Sequence, residues 1–228
     1  MVGSLGSAAS LRAAAGADVA GRCDIAEIRL DLLEAEGVAV NRERWRHLAG
    51  TPLLFTARCK NEGGALEMDA SQRSALLLAT LDDAALIDVE LASLSTLQVL
   101  LAEVTRRRIP WLASFHDFET LPPNAVLAEA AQRARAAGAA AFKVAAMLHS
   151  PADLARLAEF QLSNQGLPLA TMGMGVLGPV SRLLCAQCGS VLNYGYLGES
   201  PTAPGQWDCG SLRQMIGRLA PFNPNSEV

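Results

Sequence analysis

The sequence predicts a (β/α)8 barrel, and three observations lead to it. Short apolar or β-branched runs alternate eight times with longer Ala/Leu/Arg-rich segments of helical spacing. Some of the runs, Pro52–Phe55 among them, are apolar throughout, as a parallel sheet covered on both faces requires. The chain has 228 residues, half of them hydrophobic, and a mean hydropathy of +0.21, which suits one large core with no linker or second domain. An open doubly wound sheet would bring a glycine-rich phosphate loop after its first strand, and Gly3-Ser4-Leu5-Gly6 is too short for that role. One catalytic domain over residues 1–228 is expected, with a shortened first unit.

In chain order, strands are expected at Val2–Leu5, Ile25–Asp31, Pro52–Cys59, Ala85–Leu91, Trp111–Phe118, Ala140–Met147, Leu167–Met174 and Val191–Leu197. Helices are expected near Ala8–Ala15, Arg42–Leu48, Asp69–Leu81, Ser93–Arg107, Asn124–Ala137, Pro151–Gln161, Val180–Cys188 and Trp207–Leu219. Start signals accompany several of them. Asp69 or Ser71 precedes a Leu/Ala face, Asn124 follows a Pro-Pro pair, and Ser150 stands before Pro151 at a first helical position. Gly138 supplies a stop. The first strand is brief, and Gly16–Asp24 carries no clear period.

Composition excludes several functions. A formal charge of −4 and a pI near 5.4 leave no electrostatic footprint for nucleic acid. No apolar run approaches the roughly 18–20 residues of a membrane span, and Met1-Val2-Gly3-Ser4 lacks the charged start and apolar core of a signal peptide, so a cytoplasmic location is expected. Five cysteines, an odd number, are expected as reduced thiols. Cys185-Ala-Gln-Cys188 has metal-ligand spacing but no second ligand pair anywhere, so neither a metal nor a cofactor is expected.

In such a barrel, chemistry sits at the carboxyl ends of the strands. The chain has only two lysines, Lys60 and Lys143, and uses arginine even in exposed stretches such as Arg106-Arg107-Arg108. Lys143 stands alone among apolar residues in Ala139–Met147. A lysine so placed is the residue type that condenses with a ketone or aldehyde; the alternative is a strand-end lysine that reaches back to water. Other strand ends are polar as well. Glu27, Arg29 and Asp31 alternate onto one face of the second strand; Thr56 and Arg58 end the third and run into Asn61-Glu62-Gly63-Gly64. Asp88 and Glu90 mark the fourth, Ser114 and His116 the fifth, Thr171, Met172 and Met174 the seventh, and Asn193 and Tyr194 the eighth. Glu27, Arg29, Asp88 and Glu90 fit interior ion pairs as well as substrate contacts. His116 one strand before Lys143 would present an acid/base and a nucleophile to the same space, although a hydrogen-bonded core imidazole is its plainer alternative. Arg182 follows a glycine-bearing turn into a helix, which suits a carboxylate or phosphate as well as an ordinary capped helix. The turn-rich stretch Gly198–Gln206 has the composition of a lid.

Taken together these segments resemble the type I 3-dehydroquinate dehydratase family over nearly the whole chain. The resemblance rests on Glu27-Ile-Arg29-Leu-Asp31, Phe55-Thr-Ala-Arg58 with Glu62-Gly-Gly64, Asp88-Val-Glu90, Ser114-Phe-His116-Asp-Phe118, Phe142-Lys143, the Met-Gly-x-x-Gly-x-x-Ser-Arg run at Met174–Arg182, and Ala203-Pro-Gly-Gln206. It implies that Lys143 forms an imine with 3-dehydroquinate, that His116 is the general acid/base, and that Glu62 orients that histidine. It also implies that Arg182 clamps the substrate carboxylate, that Glu27, Arg29, Arg58 and Gln206 hold the ring hydroxyls or the carboxylate, and that Met172 and Met174 are apolar walls. The family's polar first-strand residue maps to Ser4. Thr202 stands where a serine is usual, and Tyr194 where a phenylalanine is more usual. A homodimer with a small-molecule substrate is implied. Another Schiff-base barrel enzyme, an aldolase or transaldolase, would share the lysine without predicting Arg182, and a non-catalytic binding barrel would not need Lys143, His116, Glu62 and Arg182 together.

Overall fold

The structure, a computed structural model, describes residues 1–219; the remainder of the expected single domain, 220–228, lies outside the described residues. The elements run β1 (Val2–Leu5), α1 (Ala8–Ala13), α2 (Gly16–Arg22), β2 (Ile25–Arg29), α3 (Leu30–Ala35), β3 (Leu53–Thr56), α4 (Ala70–Leu78), β4 (Ala84–Glu90), α5 (Gln98–Arg106), β5 (Trp111–Asp117), α6 (Asn124–Ala136), β6 (Ala141–Met147), α7 (Pro151–Leu162), β7 (Leu169–Met174), α8 (Gly178–Gln187), β8 (Tyr194–Leu197) and α9 (Cys209–Ile216). All strand pairs are parallel, in the order β7-β6-β5-β4-β3-β2-β1-β8, so the last strand returns beside the first. Ahead of β8, Val191 donates its N–H to the Leu169 carbonyl of β7 at 3.0 Å, drawing the two ends of the sheet together into a (β/α)8 barrel.

Side-chain alternation divides the apolar residues into two cores. The larger lies between sheet and helices and includes Ile28, Phe55, Val89, Phe142, Val144 and Leu157. The smaller fills the barrel interior with Val2, Leu54, Leu86, Leu112 and Ala141, with Ile25 and Leu192 packed against it. Two residues further along the same faces stand Ser4, Thr56, Asp88, Ser114, Lys143, Glu27 and Tyr194. An apolar plug below and a polar layer above it set the depth of the site.

Start signals are realised as caps. Asp69 and Ser150 form capping boxes with Gln72 and Asp153, and Gly138 ends α6 at φ 83°. Asn124 is the first residue of α6 rather than its cap. Three expectations need correction. The second strand stops at Arg29, because Leu30-Asp-Leu-Leu-Glu-Ala coils at once into α3; Asp31 therefore sits in the first turn of a helix, not on the strand face. The expected helix at Arg42–Leu48 is two 3-10 turns, Arg42–Arg44 and Arg46–Leu48, around the buried Trp45, which donates to Asp83 and meets Phe55 edge-on with ring centres 5.0 Å apart. The segment from Ser93 splits into a 3-10 turn at Leu91–Ser93 and then α5. The stretch Gly16–Asp24, without a period in the sequence, carries α2.

Candidate active site

A cavity, partly open to solvent, lies over the polar layer. It is lined by every residue that the family resemblance places in the site, namely Ser4, Glu27, Arg29, Arg58, Glu62, His116, Lys143, Met172, Met174, Arg182, Tyr194, Thr202 and Gln206, but not by Asp88 or Glu90. Gly63, Phe118, Ala145 and Ala203 join them. Ala145 faces the cavity because it is in register with His116 on β5 and Met172 on β7. Period-two spacing from Lys143 would have found it.

Lys143 is 4 % exposed. Its Nζ donates to Asp88 Oδ2 at 2.8 Å and lies 4.4 Å from the centre of the Tyr194 ring. Asp88 in turn accepts from Arg58 Nη2 at 2.9 Å and from the Ser114 hydroxyl at 2.5 Å. Burial alone would raise the Asp88 carboxyl, but the charges of Arg58 and Lys143 outweigh it and hold the group well below the usual carboxylate range. Asp88 and Ser114 lie on strands already recognised as polar; neither was assigned to the site. Register accounts for Ser114, which pairs directly with Lys143; Asp88 is in register with Leu112 and reaches Nζ through its side chain.

Arg58 is engaged elsewhere. Its Nη1 donates to Glu90 at 3.1 Å and to Ser114 at 2.7 Å, besides the bond to Asp88. Burial opposes its charge, yet Asp88 and Glu90 raise the guanidinium well above its ordinary value. Glu90 also binds Arg73 of α4, whose Nε holds the Ala57 carbonyl at 2.9 Å. Arg29 forms a side-on pair with Asp31, at 2.9 and 2.7 Å, and Asp31 also accepts the backbone N–H groups of Arg58 and Ala65. The helix turn at Asp31 thus fixes both arginines. Glu27 accepts from Ser4 at 2.5 Å and from Thr56 at 2.9 Å, with no cationic partner among the described residues. Of the four residues open to an ion-pair reading, Asp88 and Glu90 carry the network, Arg29 pairs with a helix residue, and Glu27 is held by hydroxyls.

His116 and Glu62 form a dyad. Glu62 Oε2 accepts the His116 backbone N–H and meets Nδ1, each at 2.9 Å. Because one oxygen receives both, Nδ1 is assigned as the protonated nitrogen and Nε2 is left for substrate. Burial is the largest influence on both partners: it pushes Glu62 up to about 7 and, with Arg58 and Lys143 adding to it, takes the imidazole well below its ordinary value. The imidazole is therefore neutral in the resting site and available as a base. Glu62 comes to it from the 3-10 turn Lys60–Glu62, closed by Gly63 at φ 88°; a Cβ there would lie 2.4 Å from the Phe118 ring.

Arg182, on α8, is 2 % exposed. Its Nη1 donates to the Tyr194 carbonyl at 3.0 Å and approaches Met172 Sδ at 3.4 Å, while its Nε has no partner. Among the described residues no carboxylate pairs with it, and burial pulls the guanidinium down to about 10. It remains cationic at neutral pH. The turn-rich stretch closes over this side. Gly205 Cα approaches the Gly175 backbone so closely that a Cβ would lie 2.2 Å from its carbonyl oxygen, and Gly175 N–H donates to Pro204. That contact brings in Gln206, whose Oε1 accepts from Thr202 N–H and hydroxyl at 2.8 Å each, leaving its amide N–H2 for a ligand.

A buried lysine amine, a histidine–glutamate dyad and a guanidinium with no carboxylate partner among the described residues thus share one cavity. Known proteins resemble this chain over most of its length. A family model described as Type I 3-dehydroquinase matches residues 6–220. A catabolic 3-dehydroquinate dehydratase of Acinetobacter baylyi is 32 % identical over 212 residues, covering 87 % of this chain and 76 % of its own. A 3-dehydroquinate dehydratase of Methanothrix thermoacetophila is 34 % identical over 215 residues, covering 94 % and 88 %. The crystal structure of the 3-dehydroquinate dehydratase from Geobacillus kaustophilus superposes with a TM-score of 0.82 at 26 % identity, over 95 % of this chain and 89 % of that one. With fold, site geometry and sequence in agreement, this chain belongs to the type I 3-dehydroquinase family.

Proposed function

We propose that the chain is a 3-dehydroquinate dehydratase, a lyase that converts 3-dehydroquinate to 3-dehydroshikimate and water through an imine on Lys143. The observation that carries the reading is the single cavity shared by Lys143, His116 and Arg182, which has no carboxylate partner among the described residues. Arg182 and the Gln206 amide receive the substrate carboxylate, and Glu27, Arg29 and Arg58 face the ring hydroxyls. Met172 and Met174 wall the ring.

Asp88 holds the Lys143 amine in place, and attack requires that amine in its neutral form. The Nζ lone pair adds to the C3 carbonyl, and the resulting carbinolamine loses water to give a protonated imine. That imine is an electron sink, so His116 Nε2 can remove the C2 proton and leave an enamine. The enamine pushes out the C1 hydroxyl, which takes a proton from the His116 imidazolium and departs as water. Hydrolysis of the conjugated imine frees 3-dehydroshikimate and restores the amine. Glu62 keeps Nδ1 engaged, so both proton transfers pass through Nε2.

We take the whole chain as one catalytic barrel acting as a cytoplasmic homodimer in aromatic amino-acid biosynthesis. Among the described residues no helix is long and apolar enough to cross a membrane. The test is turnover: purified protein given 3-dehydroquinate should generate the ultraviolet absorbance of the conjugated enone carboxylate, and Lys143→Ala should not. Folded wild-type protein that forms no product, or a Lys143→Ala variant that forms it at the wild-type rate, would contradict the assignment. Light scattering in the same buffer checks the dimer.

A further inference from the structure

The cavity contains one donor that the scheme above does not use. Tyr194 is 3 % exposed, and its hydroxyl has no hydrogen-bond partner among the described residues. The neighbouring donors are engaged: Ser4 and Thr56 with Glu27, Ser114 with Asp88, and Arg58 with Asp88 and Glu90. A buried hydroxyl without a partner is unfavourable in the free protein, and a ligand oxygen arriving beside it relieves that. Tyr194 also sits between the two reactive ends of the site. Its ring lies 4.4 Å from Lys143 Nζ, and its carbonyl accepts from Arg182. On the Schiff-base reading, Nζ bonds the ketone carbon, so the oxygen on that carbon lies two bonds from Nζ, in the part of the cavity that Tyr194 borders.

We propose that the Tyr194 hydroxyl is a further catalytic group, donating a hydrogen bond to the ketone-derived oxygen while Lys143 adds to the carbonyl and again when the product imine is hydrolysed. The inference rests on the Schiff-base assignment and deepens it. As the N–C bond forms, the carbonyl π pair moves onto oxygen, and the phenol stabilises the charge that develops there. That oxygen takes one proton from the attacking Lys143 nitrogen and a second from His116, which receives it from the Lys143 ammonium as the amine is freed for attack, and it leaves as water as C=N forms. The phenol keeps its own proton throughout: burial, with Glu27 and Asp88 near it, holds the hydroxyl well above its ordinary range, so it donates without ionising.

The experiment is a rapid-quench borohydride time course with 3-dehydroquinate, read by intact mass, on wild type and Tyr194→Phe, with thermal unfolding of both free proteins. We expect trapping at saturating substrate to slow about 10- to 100-fold in Tyr194→Phe, toward the lower side of what an oxyanion-type donor contributes. KM should change by less than about twofold, and the free variant should unfold at the same or a higher temperature, having lost an unpaired buried hydroxyl. Trapping at the wild-type rate would overturn the inference. So would a raised KM with an unchanged saturated rate, which would make the hydroxyl a ground-state contact. Wild-type protein that is never trapped would overturn the Schiff-base assignment itself, whereas normal wild-type trapping with an unaffected variant overturns only the role of Tyr194.

Discussion

The two sides of the cavity handle charge in opposite ways. On the β3–β6 side, Asp88, Glu90, Arg58, Arg73 and Lys143 are all paired, most of them more than once. On the β7–β8 side, Arg182 is buried against a carbonyl and a thioether. A buried ion that already has its counter-charges holds its neighbours in place; one without them awaits a ligand that brings the charge. The saturated side fixes where the lysine sits, and the unsaturated side decides what enters.

The largest effect should come from the lysine itself. Lys143→Ala should lower kcat by about 10⁴-fold or more, since loss of a covalent nucleophile leaves only binding and orientation. Asp88 keeps Arg58 and Ser114 in that variant, so a normal circular dichroism spectrum should accompany the loss. The contrast between the two arginines is sharper. Arg58→Met should destabilise the free protein by about 3–5 kcal/mol, because it strips a partner from two buried carboxylates. Arg182→Met should leave free stability unchanged or higher, yet cut kcat/KM about 30- to 5,000-fold, the equivalent of roughly 2–5 kcal/mol for a lost buried charge contact. Denaturant unfolding and steady-state kinetics on both variants check this; similar stability losses would erase the contrast.

Glu62 gives a pH-dependent test. Its folded value of about 7 lies above the ordinary carboxylate value, so the folded state binds the proton more tightly. Its favourable contribution is complete below about pH 4 and is lost as pH rises through about 7. Glu62→Gln, which cannot ionise, should therefore gain stability on wild type between pH 5 and pH 8 by up to about 3 kcal/mol. Its kcat should fall by less than the roughly 10²–10⁴-fold that an acid/base group contributes directly. Denaturation midpoints at the two pH values would test the sign. The smallest effect belongs to Thr202→Ser: the hydroxyl bond to Gln206 Oε1 survives, so KM should stay within about twofold.

The barrel was legible because its signals are local. Period-two strands such as Trp111–Asp117, capping residues such as Ser150 and the stop at Gly138 each depend on a few neighbouring residues. Glu27, Arg29, His116 and Lys143 stand out by position, at the carboxyl ends of strands, whereas Glu62, Thr202 and Gln206 lie on turns and enter only through the family resemblance. What escaped depends on long-range contacts. Leu30-Asp-Leu-Leu-Glu-Ala continues the apolar run of β2 without a cap, and only its packing makes it α3. That helix turn, rather than strand alternation, sets Asp31 side-on to Arg29 and lets it accept the N–H groups of Arg58 and Ala65 from further along the chain. Trp45 holds two 3-10 turns around itself by contacts with Asp83 and Phe55, far along the chain. Arg58 lies two residues past the end of β3, which is why a position that resembled a substrate contact also anchors Asp88 and Glu90. The lack of a counter-charge at Arg182 is likewise visible only once the fold has gathered its surroundings.

The most direct test of the covalent mechanism is borohydride reduction with and without 3-dehydroquinate, followed by peptide mapping. The account predicts a substrate-dependent mass increase confined to the peptide carrying Lys143, and none at Lys60. Folded, substrate-exposed protein whose Lys143 peptide stays unmodified would contradict it.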